Sequence, residues 1–128
     1  REIILPAREA GTIVMCDRFA DSTTVYQGVG RRLDPAVVAT INQLAVGDCR
    51  PDLTLVIDLD PRIGLERARG RELFDRMENQ TLDFYDRVRR GYLDLAQREP
   101  QRVKVVDGTG NLPAVEAAVW EWVRRVVS

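Results

Sequence analysis

The apolar run Leu53-Thr54-Leu55-Val56-Ile57-Asp58-Leu59 constrains this chain more than any other feature. It is short and rich in branched side chains. A turn, Arg50-Pro51-Asp52, precedes it, and a helix start, Asp60-Pro61, follows it. Such a run reads as a strand of a parallel sheet, which helices must cover. The flanking sequence supplies them. Asp34-Pro35 opens a helix, with Asp as cap and Pro in the first turn, ending near Gly47. Val37, Ile41 and Leu44 share one face of it. Further helices are expected from Asp60-Pro61 to about Arg69, from Gln80 to about Arg98 and from Asn111 to Val126. Their inner faces carry Tyr85, Val88, Tyr92 and Leu95 in the second of these, and Val115, Val119, Trp122 and Val126 in the third.

Two more strands are expected, Thr12 to Asp17 (fully buried) and Arg102 to Val106. Ala20 to Arg32 reads as a loop or a broken helix, and Gly70 to Asp75 interrupts the pattern again. Alternating strand and helix gives an α/β fold with a parallel, helix-covered sheet. No repeat, linker or low-complexity stretch divides residues 1–128, so a single domain is expected. Three strands make a narrow parallel sheet. The chain has no initiator Met, and Arg1-Glu2-Ile3-Ile4-Leu5 reads as the inside of a helix that stops at Gly11. Both points lead us to expect that sequence is missing upstream.

Charge and residue content exclude several functions. Nineteen basic and 20 acidic residues give a net charge of −1, so long-range attraction to nucleic acid or to an anionic membrane is not expected. No apolar run approaches the roughly 20 residues that span a bilayer. The chain has no histidine, which removes Ser-His-Asp and Cys-His catalysis and the common zinc sites. Cys16 and Cys49 read as free thiols of a cytoplasmic protein.

Three groups of residues can carry chemistry. The first is the end of the Thr12–Asp17 strand. Ligands in open α/β sheets sit at the carboxyl ends of strands. There Asp17 can hold a magnesium ion and Arg18 can grip a phosphate with its planar fork. A surface ion pair is the competing reading, and the dipeptide alone does not decide. Ser22, Thr23, Tyr26 and Gln27 follow, offering hydroxyls, an amide and a flat wall for a base or sugar. The second group is Arg62, Arg67, Arg69, Arg71 and Arg76 around Gly70. Arg69, Arg71 and Arg76 are candidates to close over phosphates. Arg87, Arg89 and Arg90 read instead as partners in solvated helix pairs such as Asp83/Arg87 and Asp86/Arg90. The third is Asp107-Gly108-Thr109-Gly110, where exposed backbone can bond an adenine edge or simply form a turn. Trp120 and Trp122 read as packing and surface residues.

The segment Asp17-Arg18-Phe19-x-x-Ser22-x-x-x-Tyr26-Gln27-Gly28 resembles one found in bacterial thymidylate kinases. The resemblance continues in order through Arg50-Pro51-Asp52-Leu53-Thr54-Leu55, Gly64-Leu65-x-Arg67-x-Arg69 and Asp75-Arg76-Met77-Glu78. It ends with Phe84-Tyr85-x-Arg87-Val88-Arg89-x-Gly91-Tyr92-Leu93. It implies a P-loop kinase-type three-layer fold and transfer of the ATP γ-phosphate to dTMP, giving dTDP, with Mg²⁺. By position it implies that Arg18 holds the dTMP phosphate and that Asp17 lies near magnesium. Ser22, Thr23, Tyr26 and Gln27 would line the thymidine pocket, with Tyr26 against a 2′-hydroxyl. Residues 70–77 would form a lid; Arg71 and Arg76 within it, Arg69 just before it and Arg18 would serve catalysis, and Asp107, Gly108 and Thr109 would lie near the adenine. The resemblance also implies a homodimer, through helices including the one after Asp34.

One departure stands out: no Gly-x-x-x-x-Gly-Lys-Ser/Thr occurs in the sequence. In the family that loop lies near the N-terminus, so an incomplete fold is expected and the chain alone is expected to be inactive. Phe74, just before Asp75-Arg76, is a smaller departure within the lid. The alternatives are a related deoxynucleoside or nucleoside monophosphate kinase, and an inactive fragment with no catalytic role.

Overall fold

The computed structural model describes residues 2–69 and 79–127. Its elements are, in order, helix α1 (Ile4–Glu9), helix α2 (Ala20–Thr23), a π-helical segment (Thr24–Gly30), helix α3 (Pro35–Val46), strand β1 (Thr54–Asp58), helix α4 (Pro61–Arg69), helix α5 (Asn79–Arg98), strand β2 (Val103–Asp107) and helix α6 (Leu112–Val127). β1 and β2 run parallel, in register from Thr54 opposite Val103 to Asp58 opposite Asp107. A parallel pair needs a crossover, and α4 and α5 lie within it.

Side-chain caps start three of the helices. The Asp34 carboxylate accepts from the Ala36 amide at 2.8 Å, Asp60 from the Arg62 amide at 2.8 Å, and the Asn111 side chain from the Ala114 amide at 3.0 Å. Gly11 follows α1 with φ +72°, the left-handed value that favours glycine at a helix end. The core gathers where α5 crosses β2 and the π-helical segment. Val25, Val88, Leu95 and Val103 are buried together, with Tyr26, Val56, Phe84, Tyr92 and Ala96 packed around them. Burial of a side chain such as Val25 contributes roughly 1.5–3 kcal/mol.

The broken helix expected between Ala20 and Arg32 is a four-residue α-helix running into a π-helical turn. The Arg31 amide donates to the Tyr26 carbonyl at 3.0 Å, five residues back. Such widened turns collect at functional sites.

Three expectations fail. Thr12 to Asp17 is neither a strand nor buried, and Ile13 and Met15 are 70% and 92% exposed. A strand needs a neighbour to satisfy its peptide groups, and among the described residues β1 and β2 pair only with each other. Cys16, expected inside that strand, is exposed. Likewise Val37, Ile41 and Leu44, expected to face the core, are 54%, 55% and 74% exposed, while Val38 of the same helix is buried. Periodicity finds an apolar stripe but does not say what covers it. On α6, Val115, Val119 and Trp122 are half-buried as expected, but Val126 is exposed.

Candidate functional site

An open cleft of about 300 Å³ lies along the carboxyl half of β1, between α4, α5 and the π-helical segment. Val56, Leu65 and Val88 give it an apolar floor, and Tyr26, Tyr85, Tyr92, Asp58 and Arg89 give it polar tips. An apolar concavity with a few convergent polar groups is the usual form of a small-molecule site.

The π-helical turn carries Tyr26 onto α5. Its ring meets Phe84 at 6.0 Å between centroids and Tyr92, nearly edge-on, at 6.3 Å. The Arg18 guanidinium lies over the Tyr26 ring, 5.0 Å from its centroid. A cation in that position is held by the ring quadrupole while its N–H groups stay available at the edge. Arg18 also adopts φ +68°. That conformation costs a non-glycine residue roughly 1–2 kcal/mol. Such strain persists where surrounding structure over-determines it, often at binding sites.

Next to Tyr26, the hydroxyls of Ser22 and Tyr92 share a hydrogen bond of 2.8 Å. Burial pushes the Tyr92 phenol up, against the lowering effect of Ser22, so it stays a neutral hydroxyl. At the base of the cleft Arg89 grips Asp58 with two parallel bonds, Nε to Oδ1 at 2.7 Å and Nη2 to Oδ2 at 2.8 Å. That fork raises the Arg89 guanidinium further. Arg89 was expected to be a solvated helix-pair residue. Instead it reaches off its helix to the end of β1, because a bidentate carboxylate outcompetes an exposed i,i+4 partner. Arg87 also points inward, with Nε 3.3 Å from the Gly30 carbonyl, and Asp86 pairs with Arg62 at 3.8 Å.

Beside the cleft, α2 is tied to the sheet through Asp21. Both Asp21 oxygens lie 2.7 Å from the two terminal nitrogens of Arg102, and the Thr54 hydroxyl donates to Oδ2 at 2.7 Å. Arg102 also donates from Nε to Glu99 at 2.6 Å. Burial works to raise the Asp21 carboxyl, but the bonds from Arg102 and Thr54 outweigh it and hold the group below its ordinary 3.8. A carboxyl lowered by folding stabilises the fold above its unfolded pKa and loses that stabilisation as pH falls through the folded value. Stability is therefore expected to drop as pH falls below about 3.8, and Asp21→Asn should flatten that part of a Tm-versus-pH curve.

The remaining expected site residues fall in different places. Asp17 is exposed, in the segment before α2 that belongs to no strand or helix. Thr23 is exposed, and Gln27 is half-buried with its carbonyl accepting from the Leu33 amide at 3.1 Å. In the turn after β2, the Asp107 carboxylate accepts from the Thr109 amide at 2.8 Å and from its hydroxyl at 2.7 Å. The Thr109 amide bond leads in holding that carboxyl low. The Gly108 amide donates to the Asp58 carbonyl at 2.8 Å, and Arg67 donates to the carbonyls of Gly108 and Thr109 at 3.3 Å each. The turn's backbone is thus largely engaged by the protein itself. Arg69 ends α4. Arg71, Arg76 and the lid expected at 70–77 lie outside the described residues. Sequence reasoning missed Asp58, Arg89 and the Asp21–Arg102 pair. A charged residue at the carboxyl end of an apolar strand was the available signal for Asp58.

A family model described as thymidylate kinase matches residues 1–119. This chain belongs to the thymidylate kinase family. It is 48% identical over 125 residues to the thymidylate kinase of Syntrophotalea carbinolica, covering 93% of this chain and 58% of the relative. It is 47% identical over 120 residues to that of Deinococcus radiodurans, covering 94% and 58%. A crystal structure of thymidylate kinase from Ehrlichia chaffeensis superposes with a TM-score of 0.72 at 32% identity, covering 96% of this chain and 55% of that one. The α/β, P-loop kinase-type fold expected for the family is borne out by that superposition. The chain spans a little over half the length of the relatives it matches.

Proposed function

We propose that this chain carries the monophosphate side of a dTMP kinase site, in which the ATP γ-phosphate passes to dTMP to give dTDP. The observation that supports this reading best is the Arg18 guanidinium over Tyr26, 5.0 Å from the ring centroid, beside a tyrosine-walled cleft. A fixed cation there suits a phosphate, and the aromatic walls suit a deoxyribose and a planar base. Ser22 and Tyr92 would add a hydroxyl pair for the pocket, with Thr23 and Gln27 nearby in sequence, and Tyr26 would be the wall against a 2′-hydroxyl. Arg71 and Arg76 would act from the lid, and Arg69 from the position just before it, on charge developing in the transfer, and Asp107, Gly108 and Thr109 would sit near the adenine.

Among the described residues no group of three acidic, cysteine or histidine side chains could hold a metal ion. Magnesium binds through one or two carboxylates together with substrate phosphates, so a single Asp17 fits that donor set. When bound, the ion supplies charge neutralisation on the phosphates.

No helix among the described residues is long and apolar enough to cross a membrane. We place the protein in the cytoplasm, as a homodimer joined through the exposed stripe of Val37, Ile41 and Leu44. Leu44→Glu is expected to halve the mass measured by light scattering, and an unchanged mass would remove that contact. The test of function is ADP formation from ATP with dTMP, dCMP or thymidine as acceptor. It is run on this chain and on the chain joined to a Gly-x-x-x-x-Gly-Lys-Ser/Thr segment. Preference for dTMP in the joined protein supports the reading, and equal rates on all acceptors, or none, would sink it.

A further inference from the structure

The knot of Asp21, Arg102, Thr54 and Glu99 lies outside the cleft lining, at the opposite ends of β1 and β2 from the Asp58–Arg89 fork. Asp21 and Arg102 are only 13% and 14% exposed, so the charges are largely withdrawn from water. A bidentate pair in that setting fixes geometry strongly, and removing one partner leaves a charge poorly solvated.

What the knot holds is α2, a helix of four residues. So short a helix has no stability of its own. The segment before it, Thr12 to Phe19, belongs to no strand or helix. Yet Arg18, two residues before α2, and Ser22, within it, are the residues that touch the cleft's tyrosines, Tyr26 and Tyr92. Arg18 must keep its left-handed backbone and its seat over Tyr26, and Ser22 must keep its 2.8 Å bond to Tyr92. Three side-chain ties hold α2. The Asn42 amide donates to the Ala20 carbonyl at 3.0 Å, Ser22 reaches Tyr92, and Asp21 reaches Arg102 and Thr54. Among the described residues, only the Asp21 tie runs to the sheet.

We infer that Arg102, acting through Asp21, is a positioning residue that sets α2 against the sheet and so places Arg18 and Ser22 for a nucleoside monophosphate. This use of the knot rests on the function proposed above, but its mechanical part does not. Losing a charge-assisted hydrogen bond through misplacement costs about tenfold to a hundredfold in affinity. The affinity loss from freeing α2 therefore belongs in the tenfold-to-hundredfold range.

The experiment compares Asp21→Asn, Arg102→Lys and Glu99→Gln with the unsubstituted protein by hydrogen exchange and by dTMP titration. Asp21→Asn removes the charge without changing shape. Arg102→Lys keeps a charge but loses the fork. Glu99→Gln weakens the same arginine's other bond without touching α2. Amides of residues 19–24 are expected to exchange faster in Asp21→Asn, and less so in Arg102→Lys, with β1 and β2 still protected. dTMP affinity is expected to fall about tenfold or more in Asp21→Asn and to hold in Glu99→Gln. Unchanged exchange at 19–24 in Asp21→Asn would overturn the inference whether or not nucleotide binds. An equal affinity loss in Glu99→Gln would overturn it too, because the effect would then be general destabilisation. If the unsubstituted protein binds no dTMP, the functional reading falls and the exchange result alone decides the role of the knot.

Discussion

Arg18→Ala is expected to raise the dTMP concentration needed for half-saturation by about tenfold to a hundredfold, in any form of the protein that binds the nucleotide. A hydrogen bond to a charged partner is worth roughly 1.5–3 kcal/mol, and each 1.4 kcal/mol is a factor of ten. The Tyr26 ring beneath the guanidinium adds a further reason for a large effect, since it limits the orientations that the fork must give up on binding. Arg18→Lys should recover only part of the loss, because an ammonium supplies charge without two parallel donors. Thymidine, which lacks the phosphate, should bind the alanine variant and the unsubstituted protein alike. Unchanged dTMP kinetics in Arg18→Ala would remove Arg18 from the site.

Gly91→Val is expected to lower stability by about 2–3 kcal/mol, which corresponds to roughly 6–12 °C in Tm for a domain of this size. Gly91 is buried where α5 meets the π-helical segment. A Cβ there would sit 3.0 Å from Val25 Cγ1 and 3.2 Å from Val29 Cβ and Cγ2. Those are stiff, branched neighbours, and Val25 is 1% exposed. Alanine is a weaker test. Its gain of roughly 0.5–1 kcal/mol over glycine in a helix offsets much of the crowding. Valine adds two methyl groups to the same space and gives up part of that helix gain. The facing position is built the same way: a Cβ on Gly30 would meet Phe84 Cε2 at 2.9 Å. Two glycines therefore let the π-helical turn lie directly on α5, which is what carries Tyr26 to the cleft wall. A thermal melt of Gly91→Val at the unsubstituted Tm would show that this contact is loose.

The features read correctly from sequence are those marked by a local pattern. Asp34, Asp60 and Asn111 start helices because each caps an amide two or three positions on. Leu53–Leu59 and Arg102–Val106 were legible as strands because their runs are short, branched and bounded by turns, and they emerge as β1 and β2. Val88 and Leu95 were legible because they repeat at helical spacing along α5 and are both buried.

The failures concern partners far along the chain. Thr12 to Asp17 has the composition of a buried strand, but composition supplies no neighbour for its peptide groups. Arg89 looked like one more surface arginine among Arg87 and Arg90. Its use of Asp58, 31 residues away, could not be seen from helix spacing. Asp21 and Arg102 are 81 residues apart, and nothing local marks either of them. Within the candidate site, the ordered resemblance pointed to Arg18, Ser22 and Tyr26. The structure then added the aromatic seat of Arg18 and the hydroxyl bond between Ser22 and Tyr92.

The central claim is that the cleft beside Arg18 and Tyr26 recognises dTMP through both its phosphate and its base. The most direct measurement is a titration of this chain with dTMP, dCMP and thymidine, followed residue by residue by NMR chemical shifts. The account predicts saturable shifts at Arg18, Ser22, Tyr26 and Tyr92 with dTMP, and weaker binding of thymidine and dCMP. Equal responses to all three ligands, or shifts confined to residues away from the cleft, would contradict it.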